Sequence, residues 1–122
     1  MRRQMASVHE LAQIGLLNEL PGQTLARLAE RMERRQLSPG EAILRQGDEG
    51  DRFYVVLSGI LNVRQENRGE RGVLRPGDYF GEVALVMDIP RTATVSAMTP
   101  ATIASCDRAT FEELVRPLFT EG

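Results

Sequence analysis

Lysine and tryptophan are absent, and cysteine and histidine occur once each, as Cys106 and His9. One cysteine closes no disulfide. A lone cysteine and a lone histidine cannot supply a structural zinc site within one chain either. They also leave no Ser/His/Asp or Cys/His constellation for nucleophilic catalysis, so no enzymatic activity, no metal and no cofactor are expected. Aromatic residues make up 5% of the chain, a poor supply for a nucleic-acid face built of stacked rings. The longest uninterrupted apolar run, Val83-Ala84-Leu85-Val86-Met87, is far below the ~20 residues of a bilayer helix. The N-terminus has no apolar segment of the signal-peptide kind. These absences predict a cytoplasmic chain with no membrane segment. Neither sign of charge dominates: 15 basic residues, all arginine, face 17 acidic ones for a formal net charge of -2. Generic attraction to nucleic acid or membrane is therefore excluded.

What remains is a chain of 122 residues, 42% hydrophobic and 26% charged, which is the composition of a globular protein and the length of one domain, 1–122. The stretch from Ser7 to Gln36 reads as helical. Ser7 with Glu10 forms a capping box, and Val8, Leu11, Leu16 and Leu17 supply apolar positions. Pro21-Gly22 breaks the run. A second helix is predicted from about Thr24, where Leu25, Leu28, Ala29 and Met32 share a face and Glu30 and Arg34 stand four apart on the other. Arg31, Arg34 and Arg35, interleaved with acids, read as a solvated helix face, and Arg2 and Arg3 as a frayed end.

From Pro39 the texture changes, with eight of the 11 glycines falling between Gly40 and Gly81. They separate β-prone segments over Glu41 to Arg45, Arg52 to Ser58, Ile60 to Gln65, Arg71 to Leu74, Thr92 to Met98 and Ala101 to Cys106. Short strands at regular spacing with glycine turns predict an antiparallel β-roll or jelly roll over 37–106. Gly40, Gly47, Gly50 and Gly59 read as turn formers, and Asp48, Glu49 and Asp51 as turn residues rather than a calcium loop, since the bidentate glutamate is not in place. Asp107 is a plausible N-cap for a C-terminal helix over 107–118, with Phe111, Leu114 and Leu118 on one side and Pro117 ending or kinking it.

One stretch, 80–95, resists a strand reading. Gly81 permits a tight turn, and Glu82 to Val86 alternate too little for a strand, so a short helix is predicted. Its N-terminus would offer free backbone N–H groups to an anion. Arg91, nine positions after Glu82, could close on the same anion with its planar fork. Glu82 would then accept from a neighbouring hydroxyl.

Leu74 to Thr94, with Gly77, Phe80, Gly81, Glu82, Ala84, Leu85, Arg91, Ala93 and Thr94 in place, resembles the phosphate-binding cassette of the cyclic-nucleotide-binding domain family. Gly40 to Asp48 and Phe53 to Gly59 resemble that family's strand and turn blocks, and together the likeness covers nearly the whole chain. It implies an eight-stranded β-roll, or double-stranded β-helix, flanked by helices. It also implies a ligand, cAMP with cGMP as second candidate, and a site formed by Gly81, Glu82, Val83, Ala84, Arg91, Thr92 and Ala93. By that analogy Arg91 pairs with the exocyclic phosphate oxygen and the N–H groups of Val83 or Ala84 donate to the phosphate. Glu82 accepts from the ribose 2′-hydroxyl, and the Thr92 hydroxyl makes cGMP tolerable without excluding cAMP.

The expected function is a regulatory sensor that passes ligand binding through its flanking helices to a fused or partner effector of unknown identity; a homodimer is compatible with it. Two alternatives stand beside it. One is the N-terminal sensor fragment of a catabolite-activator-type transcription regulator, whose dimerisation helix and helix-turn-helix would have to follow Pro117. The other is a degenerate β-roll acting as a protein-interaction scaffold. A cupin-type metalloenzyme on a similar roll is excluded by the single histidine. The family's C-terminal lid helix has no counterpart after Pro117, leaving the base to be covered by another subunit, by the rest of a longer protein, or by Leu118 and Phe119.

Overall fold

The computed structural model of the chain describes residues 4–66 and 68–119, so Arg2 and Arg3 lie outside it. Eight strands among the described residues form two four-stranded sheets. They are β1 (Glu33–Leu37), β2 (Ala42–Leu44), β3 (Arg52–Ser58), β4 (Leu61–Gln65), β5 (Gly69–Leu74), β6 (Tyr79–Phe80), β7 (Thr94–Ala97) and β8 (Ala101–Asp107). The orders are β1-β8-β3-β6 and β2-β7-β4-β5, and the pairings are antiparallel. The fold is thus mainly β with flanking helices, the predicted roll.

Alternation along β3 explains why so apolar a strand is buried on both faces. Tyr54 and Val56 point between the sheets, where they join Leu37, Leu44, Leu61, Phe80, Val95 and Ile103. Phe53 and Val55 point to the other side and pack with Leu11, Ile14, Leu17, Leu28, Met32, Leu85 and Phe111 from the helices and the turns beside them. One strand therefore serves two cores. Cys106 lies on the helix side, fully buried, and burial pushes its thiol pKa up to about 12. It is packing material rather than a nucleophile.

The N-terminal region departs from its periodicity. The Ser7 capping box is formed, with Glu10 N–H donating to Ser7 Oγ at 3.1 Å and Ser7 N–H to Glu10 Oε1 at 3.0 Å. It starts only one turn, α1 (Val8–Leu11), followed by a 3₁₀ turn over Leu17–Glu19 and by α2 (Gly22–Ala29). Val8, counted with the apolar positions, is 42% exposed. The helix predicted to Gln36 ends at Ala29, and Glu33–Leu37 become β1, paired in register with β8 from Glu33↔Ser105 to Leu37↔Ala101. Helix propensity is a weak preference, and five ladder pairs override it once no apolar stripe continues past Met32. Arg34 accordingly pairs with Glu10 at 3.2 Å rather than with Glu30. Arg31, read as part of a solvated face, joins Arg27 in gripping Glu113 of the C-terminal helix.

Asp107 caps that last helix as predicted, its carboxylate accepting from Thr110 N–H at 2.9 Å. The helix starts as α4 (Arg108–Thr110), widens into a π turn over Phe111–Val115 and tightens into a 3₁₀ turn over Arg116–Leu118 at Pro117. Leu118 and Phe119 turn inward: the Phe119 ring lies 5.6 Å from Tyr79 and 6.0 Å from Phe111. They complete the helix-side core. Asp107→Ala is expected to lower stability by about 1 kcal/mol, the usual worth of an N-cap, read as a drop of a few degrees in Tm.

Candidate ligand-binding site

The site is built where the two sheets meet the short third helix. Phe80 ends β6 stacked on Tyr54, with ring centroids 4.9 Å apart and planes 6° from parallel. The chain then turns at Gly81, whose φ of 90° favours glycine, and enters α3 (Glu82–Met87). Ala84 and Leu85 are buried and anchor α3 to the roll, while Val83 and Met87 face outward. The helix ends at Asp88, itself left-handed at φ 54°, and Pro90 leads into Arg91.

Arg91 is pinned by its backbone and by its side chain. Its N–H donates to Asp48 O at 2.7 Å and its carbonyl accepts from Gly47 N–H at 2.9 Å, tying it to the loop between β2 and β3. Its guanidinium donates from Nη1 to Gly81 O at 2.8 Å and from Nη2 to Arg52 O at 2.9 Å. The charge lies 5.7 Å from the centre of the Tyr54 ring. The residue is only 5% exposed, and among the described residues no carboxylate forms an ion pair with it.

Electrostatics follow from burial. Desolvation pushes the Arg91 pKa down, opposed by Tyr54 and Asp51. Arginine still stays charged, because its ordinary pKa lies so far above neutrality. Desolvation also pushes the Glu82 carboxyl up, opposed by a backbone hydrogen bond and by the Arg91 charge. A cavity of about 230 Å³ reaches Arg91, lined on its other sides by Ile43, Leu44, Asp51 and Tyr54 among others.

Of the residues singled out in the sequence, Gly81 and Arg91 are in direct contact. Glu82 lies within electrostatic reach of Arg91, and Ala84 stands beside the guanidinium across Gly50. Val83 is 42% exposed, so its side chain is not part of the wall. Thr92 is exposed and Ala93 half-buried in the bend that leads from Arg91 into β7.

Sequence reasoning missed Arg52, which acts through a backbone carbonyl and leaves no side-chain signal, and Tyr54, which reads as one more strand residue. It also misread Gly50. That residue is buried without a positive φ, and a Cβ there would fall 2.6 Å from Ala84 Cβ and 2.8 Å from Arg91 Cζ. Its smallness makes room for the guanidinium and α3.

Two four-stranded antiparallel sheets closed by helices, with a buried arginine beside a short helix, define a β-roll domain. The family profile described as cyclic nucleotide-binding domain matches residues 34–117. A cAMP-dependent protein kinase regulatory subunit of Yarrowia lipolytica is 39% identical over 111 residues, which are 88% of this chain and 29% of that protein. The regulatory domain of Toxoplasma gondii PKA with cAMP superposes at a TM-score of 0.85 with 28% identity, covering 92% of this chain and 45% of that one. The regulatory subunit of a cAMP-independent protein kinase A from Trypanosoma cruzi bound to guanosine superposes at 0.85 with 27% identity, over 91% and 41%. The chain belongs to the cyclic nucleotide-binding domain family. It spans between 24% and 29% of the length of the curated relatives it matches.

Proposed function

We propose that this chain is a single binding domain that senses a cyclic nucleotide, cAMP before cGMP, and passes the signal to an effector without catalysing a reaction itself. The observation that carries the reading is the buried Arg91 guanidinium, held by two carbonyls and by no described carboxylate. Two of its five N–H donors are used to orient it. Tyr54 also hydrogen-bonds the guanidinium, and a planar fork with five donors can offer the rest to a monoanionic phosphate diester. One neighbour holds cAMP and another guanosine, so the fold alone does not choose the ligand. A buried cation favours the charged one.

In this reading Gly81 and Arg91 frame the phosphate, Val83 or Ala84 N–H groups donate to it, Glu82 accepts from the 2′-hydroxyl, and Thr92 and Ala93 border the base. Charge-assisted bonds of about 1.5 to 3 kcal/mol each, with apolar burial, reach the roughly 8 kcal/mol of a micromolar complex. A cytoplasmic setting and an effector of the kinase class suit a chain whose relatives carry the name of kinase regulatory subunits.

Calorimetry with cAMP, cGMP, 5′-AMP and guanosine tests the proposal. Binding of a cyclic nucleotide well ahead of 5′-AMP and guanosine is expected; guanosine binding first would overturn it. Glu82→Ala should weaken cAMP several-fold and leave 2′-deoxy-cAMP unchanged, because the lost contact is the one the analogue lacks. Affinity should also fall on acidification, since the protonated carboxyl is the weaker acceptor. Burial raises the Glu82 pKa, so the loss should begin at a higher pH than an ordinary glutamate would give. Glu82→Gln, which does not titrate, should bind with no such dependence.

A further inference from the structure

Gln65, the last residue of β4, reaches across to the segment that leaves the site: its Nε2 donates to Thr92 O at 3.0 Å. A carbonyl can only accept, so this bond decides which way the amide faces. The nitrogen is turned to Thr92, and Oε1 is turned away from it as an acceptor. Strand alternation puts Gln65 on the same face as Val63, which packs against the cluster between the sheets. Gln65 therefore stands at the mouth of the roll rather than on its outer surface.

The backbone on both sides of that bond is braced by a second glutamine. Gln46 N–H donates to Thr94 Oγ1 at 2.9 Å, and Gln46 Oε1 accepts from Glu66 N–H at 2.9 Å. Two glutamines thus fasten the end of β4 to the residues on either side of Ala93. An acceptor with a fixed direction discriminates between ligands, because a partner offering a second acceptor there is repelled rather than merely unbonded.

Resting on the functional reading above, we propose that the base lies across the Thr92 edge and that Gln65 Oε1 selects adenine over guanine. In a cyclic nucleotide the base leaves C1′, one carbon from the 2′-hydroxyl assigned to Glu82, while the phosphate is held at Arg91. Adenine carries an amino donor at position 6, and guanine carries a carbonyl oxygen at the same place. The Thr92 hydroxyl can donate or accept and is neutral between them. Gln65 is not neutral, and it makes the site one for cAMP.

Binding of cAMP, of cGMP and of the cyclic nucleotide of unsubstituted purine is measured by calorimetry on the unaltered chain, on Gln65→Leu and on Gln65→Lys. The unaltered chain should prefer cAMP. Gln65→Leu should weaken cAMP about five- to tenfold, the worth of one hydrogen bond, and leave cGMP unchanged or slightly tighter. The unsubstituted purine should bind the unaltered chain as cAMP binds Gln65→Leu. Gln65→Lys, which puts a donor at the mouth, should shift the preference toward cGMP. A merely structural role for Gln65 would weaken all three ligands alike and leave their ratios fixed, and that result overturns the assignment. So would a preference for cGMP in the unaltered chain. If the unaltered chain binds no cyclic nucleotide, the functional reading itself falls and this inference falls with it.

Discussion

Arg91→Ala should weaken cyclic-nucleotide binding at least a hundredfold and also lower the Tm of the ligand-free protein by about 10 °C. The first effect is the loss of two charge-assisted bonds to the phosphate, each worth about 1.5 to 3 kcal/mol. The second comes from the protein alone. Gly81 O and Arg52 O both accept from the guanidinium, and a buried carbonyl left without a donor costs about 1 to 3 kcal/mol. Relief from burying a charge offsets part of this, leaving a net loss of about 2 to 4 kcal/mol. For a domain of this size that is on the order of 10 °C. Arg91→Lys separates the two effects, since an ammonium keeps the charge but lacks the planar fork that spans both carbonyls. It should retain more affinity than alanine and still melt early. Thermal unfolding without ligand, followed by calorimetry with cAMP, reads both. Unchanged affinity in the alanine variant would remove Arg91 from the site, and an unchanged Tm would show that the two carbonyl contacts contribute nothing.

Gly50→Ala should be nearly as damaging, although it removes no functional group. The added methyl would stand 2.6 Å from Ala84 Cβ and 2.8 Å from Arg91 Cζ, so either α3 or the guanidinium has to move. Overpacking of this kind costs about 1 to 3 kcal/mol, and the displacement falls on the two groups proposed to hold the phosphate. Affinity is expected to drop at least tenfold, beyond what the stability change explains. Gly22→Ala is the matched control: a Cβ there meets nothing within 4 Å. It should bind as the unaltered chain does, with stability within about 1 kcal/mol. Equal binding by Gly50→Ala and Gly22→Ala would show that the wall yields without disturbing the site.

Much of this architecture is legible in the residues. The alternation in Leu61 to Gln65, the capping acid Asp107 and the break in alternation after Gly81 each act over a few neighbouring positions, and β4, the last helix and α3 follow from them. The conversion of Glu33–Leu37 into a strand is not legible, because the partner that makes it one lies about seventy residues away in β8. The site shows the same division. Gly81, Glu82 and Arg91 can be picked out by their chemistry and spacing. The Arg52 carbonyl cannot, since every residue has one and only the fold aims it. Gly50 reads as a turn because glycine serves turns and close approaches alike, and only the position of Ala84 and Arg91 tells them apart. The depth at which Arg91 sits is a property of three segments together, and no window of sequence contains it.

The two-sided burial of β3 places the helical layer and the ligand wall one strand apart. Phe53 belongs to the core under the helices and Tyr54 to the wall beside Arg91, and a single peptide unit joins them. Arg52, whose carbonyl orients the guanidinium, precedes them directly. A tilt of β3 that suits the guanidinium therefore re-aims Phe53 against Phe111 and Phe119 of the last helix, 5.4 and 6.5 Å away. The strand is a partition with one cluster on each face, and on the functional reading proposed above a displacement on the Arg91 side reaches the helices through it without any longer relay.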